Sequence, residues 1–166
     1  MLLRVMEYSG LRVGDACRIT ESDLEGNKLA MRTEKSGTRV SVPLPAWLVD
    51  EMKKLPRHGG RFFWKGEGKI ATAAGNYRRS LRALAKEAGM QDVHPHRLRD
   101  TFAVRLLQEG VPVERVSKLL GHQSVAITER SYAPWVKSLQ DQLEKDVQRV
   151  WDRRDKPRPV KLRRIK

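Results

Sequence analysis

Apolar positions recur at helical spacing along most of this chain and alternate at strand spacing over one short stretch. Leu2, Leu3, Val5 and Met6 predict the end of a helix through Tyr8, which Gly10 stops. Val13 to Ile19 predicts a second short helix, followed by a turn at Ser22 and Asp23. Residues 27–32 and 38–42 alternate as strands, with Lys35, Ser36 and Gly37 between them as a β-hairpin turn. Pro43 and Pro45, which lack a ladder N–H, close the second strand.

Ala46 to Leu55 predicts another helix, Pro56 to Gly60 a loop, and Phe62, Phe63 and Trp64 a short strand or core anchor. From Thr72 the apolar set Tyr77, Leu81, Leu84, Ala85 and Ala88 is helical until Gly89, with Arg78, Arg79, Arg82 and Lys86 as a basic face. Pro95 precedes a long helix from His96 to Glu109, with Leu98, Phe102, Leu106 and Leu107 inward and Gly110 as its stop. Val113 to Leu120 and Val125 to Ser131 are two short helices joined by Gly121, His122 and Gln123. Val136, Leu139, Leu143, Val147 and Val150 then predict an amphipathic helix. The fold class expected is α+β, mainly helical, with a small antiparallel β-sheet. One domain is expected over residues 1–150, with a basic, flexible, DNA-contacting tail over 151–166.

Charge changes this picture more than length does. The 166 residues suffice for one domain with a real core. Lys and Arg number 34 against 20 Asp and Glu, for a net charge of +14, which points to a polyanionic partner, most simply nucleic acid. No apolar run approaches the ~18 residues of a membrane span, and no secretory leader is visible. The single Cys17 suits a reducing compartment, so a cytoplasmic, DNA-associated location is expected.

Attack on a phosphodiester needs cations for the non-bridging oxygens, a nucleophile, and a proton for the leaving oxygen. Arg12 and Arg99 suit the first need, because a guanidinium binds two oxygens at once. Tyr132 can form a covalent phosphoester. A Lys or His can supply the proton. Each residue has a plainer reading: Arg12 as a solvated surface charge, Lys35 as an ordinary turn lysine with Lys28 as second choice, Tyr132 as a core aromatic like Tyr8 and Tyr77. Trp135 reads as an anchor, and Arg97 points away from Arg99 on its helix. His94 and His96 suggest a metal pair, but no third ligand accompanies them. Val113 to Ser131 alone has the look of a helix-turn-helix, which describes a noncatalytic DNA-binding module. Such a module needs none of Arg12, Lys35, His96 or Arg99.

Taken together, Gly10-Leu11-Arg12 followed by Asp15, Lys35 in a hairpin turn, His96-Arg97-Leu98-Arg99, Leu119-Leu120-Gly121-His122 and Ser131-Tyr132 resemble the catalytic motifs of tyrosine recombinases, the phage integrases. The order and spacing agree from about Leu2 to Val150. The resemblance implies that Tyr132 attacks the scissile phosphate and becomes linked to a DNA 3′ end. It implies that Arg12, Arg99 and His122 hold the phosphate, Lys35 protonates the 5′ oxygen, and His96 assists proton transfer. Asp15, where the family more often has Glu, buttresses Arg12. No metal or cofactor is implied. Double-stranded DNA is the implied partner, with self-association through the helix at Val136 to Val150, which either crosses to a neighbour or folds back. Full recombinases usually carry a separate N-terminal DNA-clamping domain, which is expected to be absent from residues 1–166, making the sequence either a fragment or an unusual minimal form. Type IB topoisomerases share the chemistry, but the short chain and the Leu-Leu-Gly-His motif favour the recombinase.

Overall fold

The structure, a computed structural model, describes residues 1–154, leaving aside the side chains at 136–139 and 153–154. Helix α1 (Leu2–Ser9) buries Leu2, Val5, Met6 and Ser9 and ends at Gly10, in the left-handed region at φ 65°, whose N–H donates to the Met6 carbonyl. Helix α2 (Val13–Arg18) follows, then a single 3-10 turn (Glu21–Asp23) closed by reciprocal bonds between Thr20 and Asp23.

The hairpin is part of a three-stranded antiparallel sheet in the order β1-β2-β3: β1 (Leu24–Glu25), β2 (Lys28–Arg32) and β3 (Arg39–Pro43). Sequence reading misses β1, because two residues carry no period. Leu29 pairs with Val42 and Met31 with Val40, and all four are buried. Their neighbours Lys28, Arg32, Arg39 and Ser41 face water, so a one-residue slip would expose the whole apolar face.

Helix α3 (Ala46–Lys53) and the Phe62–Phe63 pair complete the core under the sheet. Phe62 to Trp64 is not a strand; the two phenylalanines serve as core anchors beside isolated bridges of Arg61 with Thr20 and His58. Helix α4 (Ile70–Glu87) packs on α2, with Tyr77 donating to the Phe63 carbonyl at 3.2 Å. Helix α5 (Pro95–Gln108) begins with Pro95 in its first turn, where the missing N–H has no consequence. It packs on α1. A second core joins Phe102, Ala103 and Leu107 of α5 to Val116 and Leu120 of α6 (Val113–Leu120), to Val42 and to Tyr132.

Two glycines permit close approaches. A Cβ at Gly10 would stand 2.5 Å from Phe102 Cδ1, and one at Gly121, φ 67°, would stand 2.7 Å from Val40 Cγ1. The first approach brings the end of α1 onto α5, and the second sets the end of α6 against β3.

The two helices expected after Gln123 form one element, α7 (Val125–Arg154), interrupted at Tyr132 (φ −122°, ψ 20°). Pro134 sits just beyond the break and cannot supply a helical N–H, so the kink has a local cause. The helix also overruns the expected end at residue 150. Leu143, Val147, Val150 and Trp151 are about half exposed, so this part of α7 does not fold back over its own domain. The expected tail lies, from residue 155 onward, outside the described residues. Among the described residues no helix is long and apolar enough to cross a membrane.

Candidate active site

The seam between the two cores is where the charged residues meet. Arg99, on α5, is 1% exposed. Its Nη1 donates to the Gly10 carbonyl at 2.7 Å and its Nη2 to the Leu120 carbonyl at 2.6 Å. One guanidinium thus joins the end of α1 to the end of α6, satisfying carbonyls that helix termini leave orphaned. A guanidinium has five N–H donors, so donors remain for another acceptor. Burial, and then repulsion from Arg12, lowers the Arg99 pKa to about 10, which still leaves it charged at neutral pH.

Arg12 immediately precedes α2. Its Nη1 is buried and has no hydrogen-bond partner among the described residues. Arg12 and Arg99 line one cleft of about 310 Å³ with Val13, Arg78, Arg82, His94, Pro95 and His96. Half of the basic face expected on α4, Arg78 and Arg82, therefore overlooks this cleft. Two guanidiniums in mutual repulsion, one with an unpartnered buried N–H, describe a site built for an anion.

Asp15 corrects an expectation. Among the described residues no hydrogen bond links it to Arg12; its carboxylate accepts the Glu34 N–H at 2.7 Å from a position 2% exposed. Its role is to tether the β2–β3 turn to α2. The same turn is held a second time, where Ser36 Oγ donates to the Gly121 carbonyl at 3.0 Å. Lys35, between these two anchors, is exposed and makes no hydrogen bond to a described residue, so its ammonium is free above a fixed backbone. Lys28 lies at the far end of β2, 3.9 Å from Glu25.

His122 follows Gly121 and places Nδ1 2.7 Å from Thr128 Oγ1, a fully buried hydroxyl. With that hydroxyl donating, the ring carries its proton on Nε2. Burial and then the charges of Arg99, Arg12 and His96 lower its pKa to about 4, so the ring is neutral at neutral pH. His96 is also shifted down, by burial first, against the opposing pull of Asp100. Among the described residues no group of three or more His, Cys, Asp or Glu is placed to hold a metal ion.

Tyr132 is 3% exposed, in the second core, and its hydroxyl donates to Asp100 Oδ1 at 2.9 Å. Burial first, then the hydrogen bond and charge of Asp100, raise its pKa well above the ordinary phenol value, while Arg99 and Arg12 pull it down. Trp135 packs against the Tyr132 ring in an edge-type contact at 6.4 Å and stays 39% exposed. Arg97 faces away from the guanidinium cleft, into a second one lined with Asp100, Arg105 and Trp135. Sequence reading misses Asp100, Thr128 and Ser36. The only advance signal was the four-residue step from His96 to Asp100, which puts both on one face of a helix.

The family model described as the phage integrase family matches residues 1–137. The chain belongs to the phage integrase family. A tyrosine recombinase of Thermosipho africanus is 30% identical over 130 residues, covering 76% of this chain and 46% of that protein. Among solved structures, the XerA recombinase aligns with TM-score 0.62 and 25% identity, over 86% of this chain and 55% of that one. The catalytic domain of bacteriophage HP1 integrase aligns with TM-score 0.61 and 26% identity, over 87% and 79%. This integrase-family chain therefore has the mainly helical catalytic-domain fold with its small antiparallel sheet. It spans about half the length of the curated relatives it matches.

Proposed function

We propose that this chain binds duplex DNA and cleaves and rejoins it through Tyr132. The phenolic oxygen bonds to phosphorus, the bond to the 5′ oxygen breaks, and a 3′-phosphotyrosyl link holds the strand until the freed hydroxyl reverses the step. Arg12 and Arg99 hold the non-bridging oxygens, and the Nε2–H of neutral His122 donates to the same phosphate. Lys35 delivers the proton that the 5′ oxygen takes as it leaves, and His96 assists proton movement. The observation that carries this reading is the cleft shared by Arg12 and Arg99, with an unpartnered buried N–H on Arg12, electrostatically coupled to the Tyr132 phenol. A helix-turn-helix module has no use for that arrangement. DNA complexes among structural neighbours, such as XerH recombinase bound to difH substrate, accord with a duplex partner.

The test uses a pool of nicked duplexes with randomised bases around the scissile phosphate, so that the cleaved end diffuses away and traps the adduct. Wild type should form a covalent complex that survives denaturation, and Tyr132→Phe should bind without forming it. A wild-type chain that binds the pool and never becomes linked to it refutes cleavage. Self-association on DNA belongs to the same reading: Leu143, Val147 and Trp151 present an uncovered apolar stripe at helical spacing, suited to a neighbouring copy. Leu143→Glu with Val147→Glu should weaken assembly on DNA before it weakens cleavage; equal loss of both refutes that role.

A further inference from the structure

We propose that Asp100 is a further catalytic residue, the group that takes the proton of Tyr132 as the phenolic oxygen attacks. This rests on the cleavage reading above. Among the described side chains, Asp100 accepts the one hydrogen bond that the Tyr132 hydroxyl donates, Oη to Oδ1 at 2.9 Å. That is the distance a candidate base needs before any rearrangement. The same Oδ1 stands 3.7 Å from His96 Nε2, too long for a hydrogen bond but within reach of a small shift. The Asp100 side chain is 39% exposed and that of His96 58%, so a proton received there has a path outward.

Charge accounting favours the same assignment. The Tyr132 O–H bond breaks and its proton passes to Asp100 Oδ1. The Oη–P bond forms, the bond from phosphorus to the 5′ oxygen breaks, and that oxygen takes a proton from Lys35 Nζ. An anion at Asp100 disappears as negative charge gathers on the phosphate, so the clamp of Arg12 and Arg99 faces one growing anion instead of two. The charged and titratable groups around the pair are His96 and Arg99 on α5, Arg97 and Arg105 in the cleft that Asp100 also lines, Arg12 before α2, and Tyr132 itself on α7. His96, whose pKa burial shifts down against the pull of Asp100, is then the next group along that path outward.

The experiment is single-turnover cleavage of the nicked duplex pool by full-chain wild type and Asp100→Asn. The amide keeps an oxygen to accept the phenol's hydrogen bond but cannot take its proton. Each is also made with a fluorinated tyrosine at position 132, whose phenol ionises more readily at nearly the same size. We expect Asp100→Asn to bind the pool as wild type does and to cleave about 10²-fold more slowly, the scale of a lost proton acceptor. The fluorinated phenol should restore about tenfold of that loss while changing wild type far less. Fluorine NMR of the same samples, read without DNA, should show the phenol ionising at lower pH in Asp100→Asn. Asp100→Asn cleaving within about threefold of wild type, or faster, overturns the proposal. So does a slow variant that fluorination does not help, which would make Asp100 a positioning residue. Wild type forming no adduct overturns the cleavage reading beneath it, a result distinct from all of these.

Discussion

Replacing the two arginines of the cleft should affect stability very differently. Arg99 donates to two backbone carbonyls, those of Gly10 and Leu120, which accept from no other donor among the described residues, and is 1% exposed. A hydrogen bond from a charged group is worth ~1.5–3 kcal/mol, and leaving its buried partner unmet costs on that order. Two such bonds set the Arg99→Ala loss at about 3–6 kcal/mol, a large share of the ~5–15 kcal/mol that holds a domain. For a chain of this size that is a fall in Tm of about 6–24 °C. Arg12 presents the opposite case. Its buried Nη1 bonds to nothing, and its charge pushes on Arg99. Arg12→Ala relieves both penalties, so stability should be unchanged or rise by up to ~1 kcal/mol, while phosphate binding and cleavage collapse. Urea unfolding of wild type and both variants, with adduct formation on the nicked pool, reads stability and function separately. An Arg12→Ala loss above ~1 kcal/mol, or an Arg99→Ala loss below it, refutes the claim that one arginine is a structural tie and the other stands in wait for an anion.

Three further outcomes follow from named contacts. Gly10→Ala places a Cβ 2.5 Å from Phe102 Cδ1 in a left-handed backbone, and should cost about 2–4 kcal/mol in chemical denaturation; a loss under ~1 kcal/mol shows that the α1–α5 contact is slack. Lys35→Ala, at an exposed turn with no bond to lose, should leave stability within ~0.5 kcal/mol and stop cleavage. A substrate whose 5′ bridging oxygen is sulfur should restore it, because a thiolate leaves without a proton; no restoration removes Lys35 as the acid. The folded His122 ring takes a proton only near 4, against 6.5 for an ordinary His. Between those values the unfolded chain binds more protons, so stability present above 6.5 falls as pH drops toward 4. His122→Gln should flatten that part of the Tm–pH curve, and an unchanged slope assigns it to other groups.

What the amino-acid order settled by itself is local. Gly10 and Gly110 stop helices, Pro95 starts one, and alternation over 27–32 and 38–42 marks two strands, which form within a residue of those bounds, because each signal acts within a turn or two of its own position. The proposed site residues Arg12, Lys35, His96, Arg99, His122 and Tyr132 stand out in the same way, as types at fixed spacing. Their partners were not. Arg99 bonds to a carbonyl 89 residues away, Asp15 reaches Glu34 in preference to Arg12, and Tyr132 finds Asp100 across 32 residues. A backbone carbonyl is present at every position, and an aspartate marks no pattern of its own, so neither announces itself along the chain. Only packing α5 between α1 and α7 determines which acceptor meets which donor, and that packing also sets the burial that shifts the phenol and both imidazoles.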